Sequence, residues 1–428
     1  MKKVTMFVWN HFTNDARVMR EGLALSNNGY EVNLLAIENK NDRRAGKYEK
    51  VNKNFSVERV PMYPWLLEVY QKNRKQFIIS VAGATMVIAP ALFYISWLLL
   101  SSYFIGLLVL YTSVRSPSIR GNIIKLVRSM KMIGRGYFHN ADIYHSNDLN
   151  TLTQGVICSK MRFNRKPLVY DSHEVQTDRT GYNPEIAMKV EKFLLKFVDQ
   201  TLVENHTRAT FHEKLYNYYP TPLYNYSDTY DINAVEGKDI HHLLEIPRDK
   251  KILLYQGGLQ MGRGLEQLVE MMKSIEEGVL VFIGDGKLKP YLETRVNEES
   301  LQDKVKFIPK VYLKDLPSYT KSAYLGFQVL QNTSFNHYSA SSNKLFEYMM
   351  AHVPVVGCDF PEIKRVIEEE DIGVSIDASQ VGNITQAVQS LLENEEKRNE
   401  LSRNCATAKH KYNWQSEQQK LLDIYEKL

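Results

Sequence analysis

From Phe77 to Ser113 the chain carries no Asp, Glu, Lys, Arg, Asn, Gln or His and is filled with Leu, Ile, Val, Phe and Tyr. One bilayer crossing takes about 20 apolar residues, so this stretch holds one long span or two short ones. Its flanks choose between them. Lys72, Arg74 and Lys75 precede it, and Arg115, Arg120, Lys125 and Arg128 follow it. Positive charge favours the cytoplasmic side, and here both ends are positive. A single span would also put the two halves of one α/β domain on opposite sides of a membrane. The expectation is a helical hairpin or re-entrant pair entering and leaving from the cytosol, with Gly83, Pro90 and Ser101-Ser102 as kink or turn points. A helical pair buried in a soluble core is the alternative, and the missing polar face speaks against it. After the insert, Ile123, Leu126, Val127, Met130, Ile133 and Tyr137 fall on one helical face and Lys125, Arg128, Lys131 and Arg135 on the other. Such a helix either lies on an anionic membrane surface or covers a sheet with its cations in solvent.

Outside the insert, strand-like apolar runs alternate with amphipathic helical stretches, the sign of parallel sheets covered by helices. Lys3–Val8, Glu31–Ile37, Asp142–His145 and Leu168–Tyr170 read as strands of a first domain. Lys251–Tyr255, Val279–Ile283, Val305–Ile308, Leu325–Val329, Val353–Gly357 and Val374–Ile376 read as strands of a second. Tyr216 to Asp231, rich in Tyr, Asn and Pro, looks like a linker. The predicted fold is α/β: two doubly wound, Rossmann-like domains facing a cleft, plus the membrane hairpin. The domains expected are 1–227 on the acceptor side, a linker 228–250, 251–410 for the donor, and a helix 411–428 packing back on the first domain.

A net charge of +5 is too mild to argue for nucleic acid, and no nucleic-acid motif accompanies it. Cys158, Cys358 and Cys405 are far apart, so neither a disulfide framework nor a zinc site is indicated and a reducing compartment is the natural setting.

Three segments carry chemistry in the second half. Tyr255 to Leu265, reading Y-Q-G-G-L-Q-M-G-R-G-L, follows a strand and opens a helix. Gly257 and Gly258 let backbone N–H groups approach a phosphate, and Arg263 would pair with a diphosphate oxygen. Gly284-Asp285-Gly286 is a second glycine loop at a strand's carboxyl end, where α/β sheets bind ligands. Ser339 to Val356 is the strongest: Ser341 lies in a polar loop, Ser342 or Asn343 would cap a helix, and Lys344 offers a cation at its start. Leu345 follows, and Glu347 shares a face with Lys344, placed to accept from a ribose diol. A capped surface helix with a Lys–Glu pair has the same spacing. In the first half, Asp15 and Arg17 open a helix after the first strand, and Asp171-Ser172-His173-Glu174 ends another strand. His173 is a hydrogen-bond partner for a transferring sugar, and Asp148 belongs to a weaker loop of the same kind.

Together these segments resemble the family-4 retaining glycosyltransferases of the GT-B fold over nearly the whole chain except the insert. Asp15-Ala16-Arg17-Val18 within Asn14 to Val32, the Asp-x-His-Glu loop at 171–174, the phosphate loop at 255–265 and Asn-Lys-Leu-Phe-Glu-Tyr at 343–348 are similar to that family's motifs. The resemblance implies a UDP- or GDP-sugar as donor substrate, no cofactor and no obligatory metal. It implies Arg263 and Lys344 on the diphosphate, Glu347 on the ribose, His173 at the reaction centre, and Asp15, Arg17, Asp148 and Glu174 on the acceptor side. Two departures stand out. The family often carries a Glu where this chain has Ser339, and its common Gly-Arg is here Gly257-Gly258. The expected function is retaining transfer of a sugar to a lipid-linked acceptor at the cytoplasmic face of the membrane, in polysaccharide or glycolipid synthesis. A homo-oligomer is a further expectation. The alternatives are a nucleotide-sugar-binding scaffold subunit and, further off, a nucleotide-sugar epimerase.

Overall fold

The computed structural model describes all residues except 14, 40–45, 180 and 182, so Asn14 of the first motif lies outside the described residues. The chain divides into two compact units: Met1–Asp171 with Phe193–Gln200 and Leu428, and Ser172–Lys192 with Thr201–Lys427. Residues 172–192 and 201–227 therefore cluster with the second unit.

In the first unit, β1 (Lys2–Phe7), β2 (Tyr30–Ile37), β3 (Tyr48–Lys50), β4 (Phe55–Val60), β5 (Ile143–Asn147) and β6 (Leu168–Ser172) run in the order β3-β4-β2-β1-β5-β6. All neighbours are parallel except the β3–β4 pair. The order reverses between β1 and β5, the switch point of a Rossmann-like sheet. Asp15 caps the helix Ala16–Asn27 by accepting from the Val18 N–H at 3.2 Å. That helix buries Val18 and Leu25 against the sheet.

Two helices, Arg74–Ile95 and Trp97–Arg115, are long and apolar enough to cross a membrane by length and composition, and both lie almost wholly exposed. At 22 and 19 residues they measure about 33 and 28 Å, close to a hydrocarbon core of about 30 Å. They are joined through Ser96 in extended conformation, and Thr85 Oγ1 meets Tyr103 Oη across the pair at 2.8 Å. The expected turn points are not where the chain breaks. Gly83, Pro90 and Ser101-Ser102 all lie inside helices. The two serine hydroxyls donate back to the Trp97 and Leu98 carbonyls at 2.9 and 2.8 Å, which satisfies them without opening the helix.

The helix Pro117–His139 also departs from expectation. Arg128 donates to the Met62 carbonyl at 2.7 Å, and Arg135 reaches the Arg59 carbonyl and Glu58, each at 3.0 Å. These cations face inward, where the end of β4 offers acceptors, while Leu126, Met130 and Tyr137 face out.

In the second unit, β7 (Gln200–Val203) and β8 (Thr221–Pro222) form a short parallel pair. β9 (Lys251–Gln256), β10 (Gly278–Ile283), β11 (Val305–Ile308), β12 (Leu325–Gln328), β13 (Val355–Cys358) and β14 (Gly373–Ile376) form a wholly parallel sheet, order β11-β10-β9-β12-β13-β14. Its switch point lies between β9 and β12. Tyr255, Phe282, Phe327, Phe346 and Tyr348 are fully buried around it. The stretch read as a linker is part of this core: Tyr226 packs edge-on to Phe346 at 4.6 Å, and the Tyr224 N–H donates to Glu417 at 2.9 Å. Tyr224 and Tyr226 are buried there, whereas Tyr218 and Tyr219 stay exposed. The helix Trp414–Glu426, which carries Glu417, thus holds this segment within the second unit.

Candidate active site

A cavity of about 600 Å³ opens at the switch point of the second unit, within the range of small-molecule sites. Gln256 and Gly257 at the end of β9 form one side, and the segment from Leu330 to Glu347 after β12 forms another. His173, Glu174, Asp178 and Arg179 enter from the loop beyond β6, and Glu204 and Arg208 from the stretch after β7.

The helix Asn343–Met350 points its first turn into this space. Ser342 occupies the cap position, yet its side chain makes no capping bond, so the leading N–H groups are left for another acceptor. Ser341, Ser342, Asn343 and Lys344 line the wall there. Lys344 is only 6% exposed. Its Nζ donates to Tyr255 Oη at 3.1 Å and sits 4.4 Å from that ring's centroid. Arg263 lines the same cavity. Among the described residues neither cation has a carboxylate partner. By contrast Arg179 pairs with Glu174 at 3.2 Å and Arg208 with Glu204 at 2.6 Å. A buried cation without a counter-ion is costly in the empty protein and calls for an anionic ligand.

The glycines bring the loops close enough. Gly284 has φ +151°, and a Cβ there would stand 1.9 Å from the Gly257 carbonyl oxygen. Gly264 has φ +71°, and its Cβ would stand 2.2 Å from the Val329 carbonyl oxygen. Both positions therefore exclude any side chain.

Glu347 accepts from Gln256 Nε2 at 2.7 Å, and Gln256 Oε1 accepts from Thr320 Oγ1 at 2.8 Å. This chain fixes the carboxylate one helical turn beyond Lys344. Burial pushes His337 below its ordinary value, and Arg263 and Lys344 push the same way against the Gln331 carbonyl and Asp178.

Of the residues singled out in the sequence, His173, Glu174, Gly257, Arg263, Ser341, Ser342, Asn343, Lys344 and Glu347 share this cavity. Others do not reach it. Leu345 is buried in the core. Ser339 is buried too, its hydroxyl accepting from Arg208 Nε at 3.1 Å. Gly258 offers its carbonyl to Tyr255 Oη at 3.1 Å, and Gly284 and Gly286 press against the backbone of residues 257 to 259. Asp285 is exposed, its carboxylate accepting from the Gly286 N–H at 2.8 Å. Asp15, Arg17 and Asp148 belong to the first unit. There Arg17 grips Asp171 through two bonds of 2.6 and 2.7 Å and approaches Glu21 at 3.2 Å. Glu21, His145 and Asp171 have ligand atoms within 4.8 Å of one another, and the Arg17 guanidinium supplies the positive charge this group needs. The sequence reading missed Gln256, Asp178, Arg179, Glu204, Arg208, Asn336 and His337. Arg208 is the most connected: it also donates to the His173 carbonyl and, at 3.3 Å, to that of Asn336.

Residues 238–407, within the second unit, match the family model described as glycosyl transferases group 1, so this unit carries such a domain. A D-inositol 3-phosphate glycosyltransferase of Xylanimonas cellulosilytica is 24% identical over 198 residues, 45% of this chain and 46% of the relative. The match thus spans less than half of that relative's length. Among solved structures, sucrose-phosphate synthase from Thermosynechococcus elongatus is similar with a TM-score of 0.70 at 16% identity, covering 100% of this chain and 99% of that one. Anabaena HepE in complex with UDP-glucose is similar with a TM-score of 0.69 at 13% identity, covering 100% of both chains. At such identities the likeness is one of fold, and the fold matches that of GT-B glycosyltransferase structures.

Proposed function

We propose that the protein is a glycosyltransferase that binds a nucleoside diphosphate sugar in the cavity of the second unit and transfers the sugar to a lipid-linked acceptor. The observation that carries this reading is the pair Arg263 and Lys344, two cations without carboxylate partners among the described residues, beside a helix N-terminus with no side-chain cap. A diphosphate supplies the missing negative charge, and Glu347, held by Gln256, takes the ribose hydroxyls. When the bond between the sugar's anomeric carbon and the β-phosphate oxygen breaks, charge grows on the departing diphosphate. The cations and helix N–H groups are already aimed at it, which is where such catalysis gains most. No metal is required in this scheme, and the sugar is transferred with retention, the acceptor arriving on the face the nucleotide leaves. His173, which lines the same cavity, is assigned to the reaction centre in this scheme.

The acceptor class rests on the helices Arg74–Ile95 and Trp97–Arg115: a chain held in the membrane by this hairpin meets acceptors there, on the cytoplasmic side. The domain match and the UDP-glucose complex of the HepE fold relative support the donor class. Purified protein reconstituted in liposomes with a polyprenyl-diphosphate saccharide and radiolabelled UDP- and GDP-sugars tests the reading. Label moving to lipid, lost in Lys344→Ala, is the expected result. No transfer from any donor, when a fresh membrane extract supplies acceptor, contradicts it. The burial of Ser339, where the family often has a Glu, favours a second reading: a subunit that binds nucleotide without turnover.

A further inference from the structure

The helix Pro184–Leu194, continued by a single 3-10 turn Leu195–Phe197, wears its apolar side outward. Ile186, Val190, Phe193 and Phe197 are 61%, 41%, 58% and 38% exposed. Their spacing of i, i+4, i+7 and i+11 sets them in one stripe. The opposite face is already anchored: Ala187, Glu191 and Leu194 are buried, and Glu191 accepts from Tyr216 Oη at 2.7 Å. The outward stripe therefore leaves a large part of its apolar surface outside internal packing. Phe193 and Phe197 meet edge-on at 5.6 Å, and Lys189, Lys192 and Lys196 stand exposed beside them.

We propose that this helix is a second membrane contact, lying in the interface of an anionic bilayer with its aromatic stripe at the acyl boundary and its lysines on headgroup phosphates. Exposed apolar residues alone would suit a protein partner equally well. The flanking lysines decide for an anionic surface, and they would repel one another across a two-fold contact between copies of this chain. The proposal rests on the hairpin reading above, since a chain already held at a bilayer needs only weak further attraction to lay this helix down.

The native thiols Cys158, Cys358 and Cys405 are buried, and burial pushes each up to about 12, so an introduced surface cysteine takes an environment-sensitive fluorophore selectively. The full chain carrying Phe193→Cys is labelled and incorporated in nanodiscs of phosphatidylcholine, with or without phosphatidylglycerol. A label at Glu396→Cys, on the exposed surface of the helix Glu395–Ala408, is the reference. The expected result is a blue shift and quenching by nitroxide lipids at position 193 in the anionic discs, and neither at position 396. The triple variant Lys189→Glu, Lys192→Glu, Lys196→Glu should lose the shift while still entering the discs. Incorporation with equal emission at 193 and 396 overturns the proposal and leaves the hairpin standing. A lipid-independent shift that grows with protein concentration assigns the stripe to self-association and overturns it as well. Failure to enter any disc removes the hairpin reading and the proposal together. Val190→Cys repeats each arm should the first variant fail to fold.

Discussion

Two strand-end loop clusters, one in each unit, carry similar residues and differ in how their charges are settled. Beyond β1 and β6 of the first unit, Arg17 lies between Asp171 at 2.6 Å and Glu21 at 3.2 Å, all three nearly or wholly buried. Beyond β9 and β12 of the second, Arg263 and Lys344 line an open cavity, and among the described residues neither forms an ion pair with a carboxylate. Both clusters sit at the carboxyl ends of parallel strands, where α/β folds bind ligands. The first has its counter-charges built into the chain and holds a fold together. In the second, neither cation has such a partner among the described residues, and the proposed diphosphate would supply the charge. A cation is thus read as structural or ligand-binding by its partners, not by its place on a strand end.

The strongest attempt to break this contrast is Arg17→Ala, which leaves two carboxylates buried without the guanidinium. It should cost about 3 to 5 kcal/mol of stability in urea denaturation. Nucleotide affinity per folded molecule should not change. The double variant Arg17→Met, Asp171→Leu removes one charge of each sign and should cost less than the sum of the two single changes, a coupling that a double-mutant cycle measures. If the two singles simply add, the cluster is not a neutralised unit. Lys344→Ala should do the reverse. Its stability stays at or above wild type, because a buried cation without a partner is removed, while nucleotide affinity falls by about 1.5 to 3 kcal/mol in calorimetry.

The smallest effect is a proton. Burial, with Arg263 and Lys344, holds His337 below its ordinary value, so at a given pH it is charged less often in the empty site than a free imidazole. A bound diphosphate neutralises the two cations and lets that value rise. Binding then takes up a proton, and affinity strengthens as pH falls through the range in which His337 titrates. Calorimetry in two buffers of different ionisation enthalpy reads the uptake directly, and His337→Asn should abolish it.

Much of this was legible in the sequence, for stateable reasons. Central strands such as Gly278–Ile283 are nearly continuous apolar runs, and Val305–Ile308 is found where it was predicted. Lys344 and Glu347 were legible because one short helix carries both, and helical spacing puts them on one side. Gln256 was not, because a glutamine ending a buried strand gives no periodic signal. Its role appears only once Thr320 and Glu347 come together around it. Arg208 and Asn336 lie far apart in sequence and meet only through the fold. The break at Ser96 was hidden because no glycine or proline marks it, whereas Pro90 marks a place where the helix continues. Arg128 and Arg135 were placed on an outward polar face, toward an anionic surface or solvent, by charge alone. Backbone carbonyls at the end of β4, invisible to a helical wheel, draw them inward.

The most direct measurement is the structure of the protein with a nucleoside diphosphate, UDP or GDP, at saturating concentration. The prediction is density for the diphosphate within hydrogen-bond distance of Lys344 Nζ and Arg263, with the ribose at Glu347. An empty cavity at saturation, or the diphosphate bound elsewhere while Lys344 keeps only its contact with Tyr255, would contradict it.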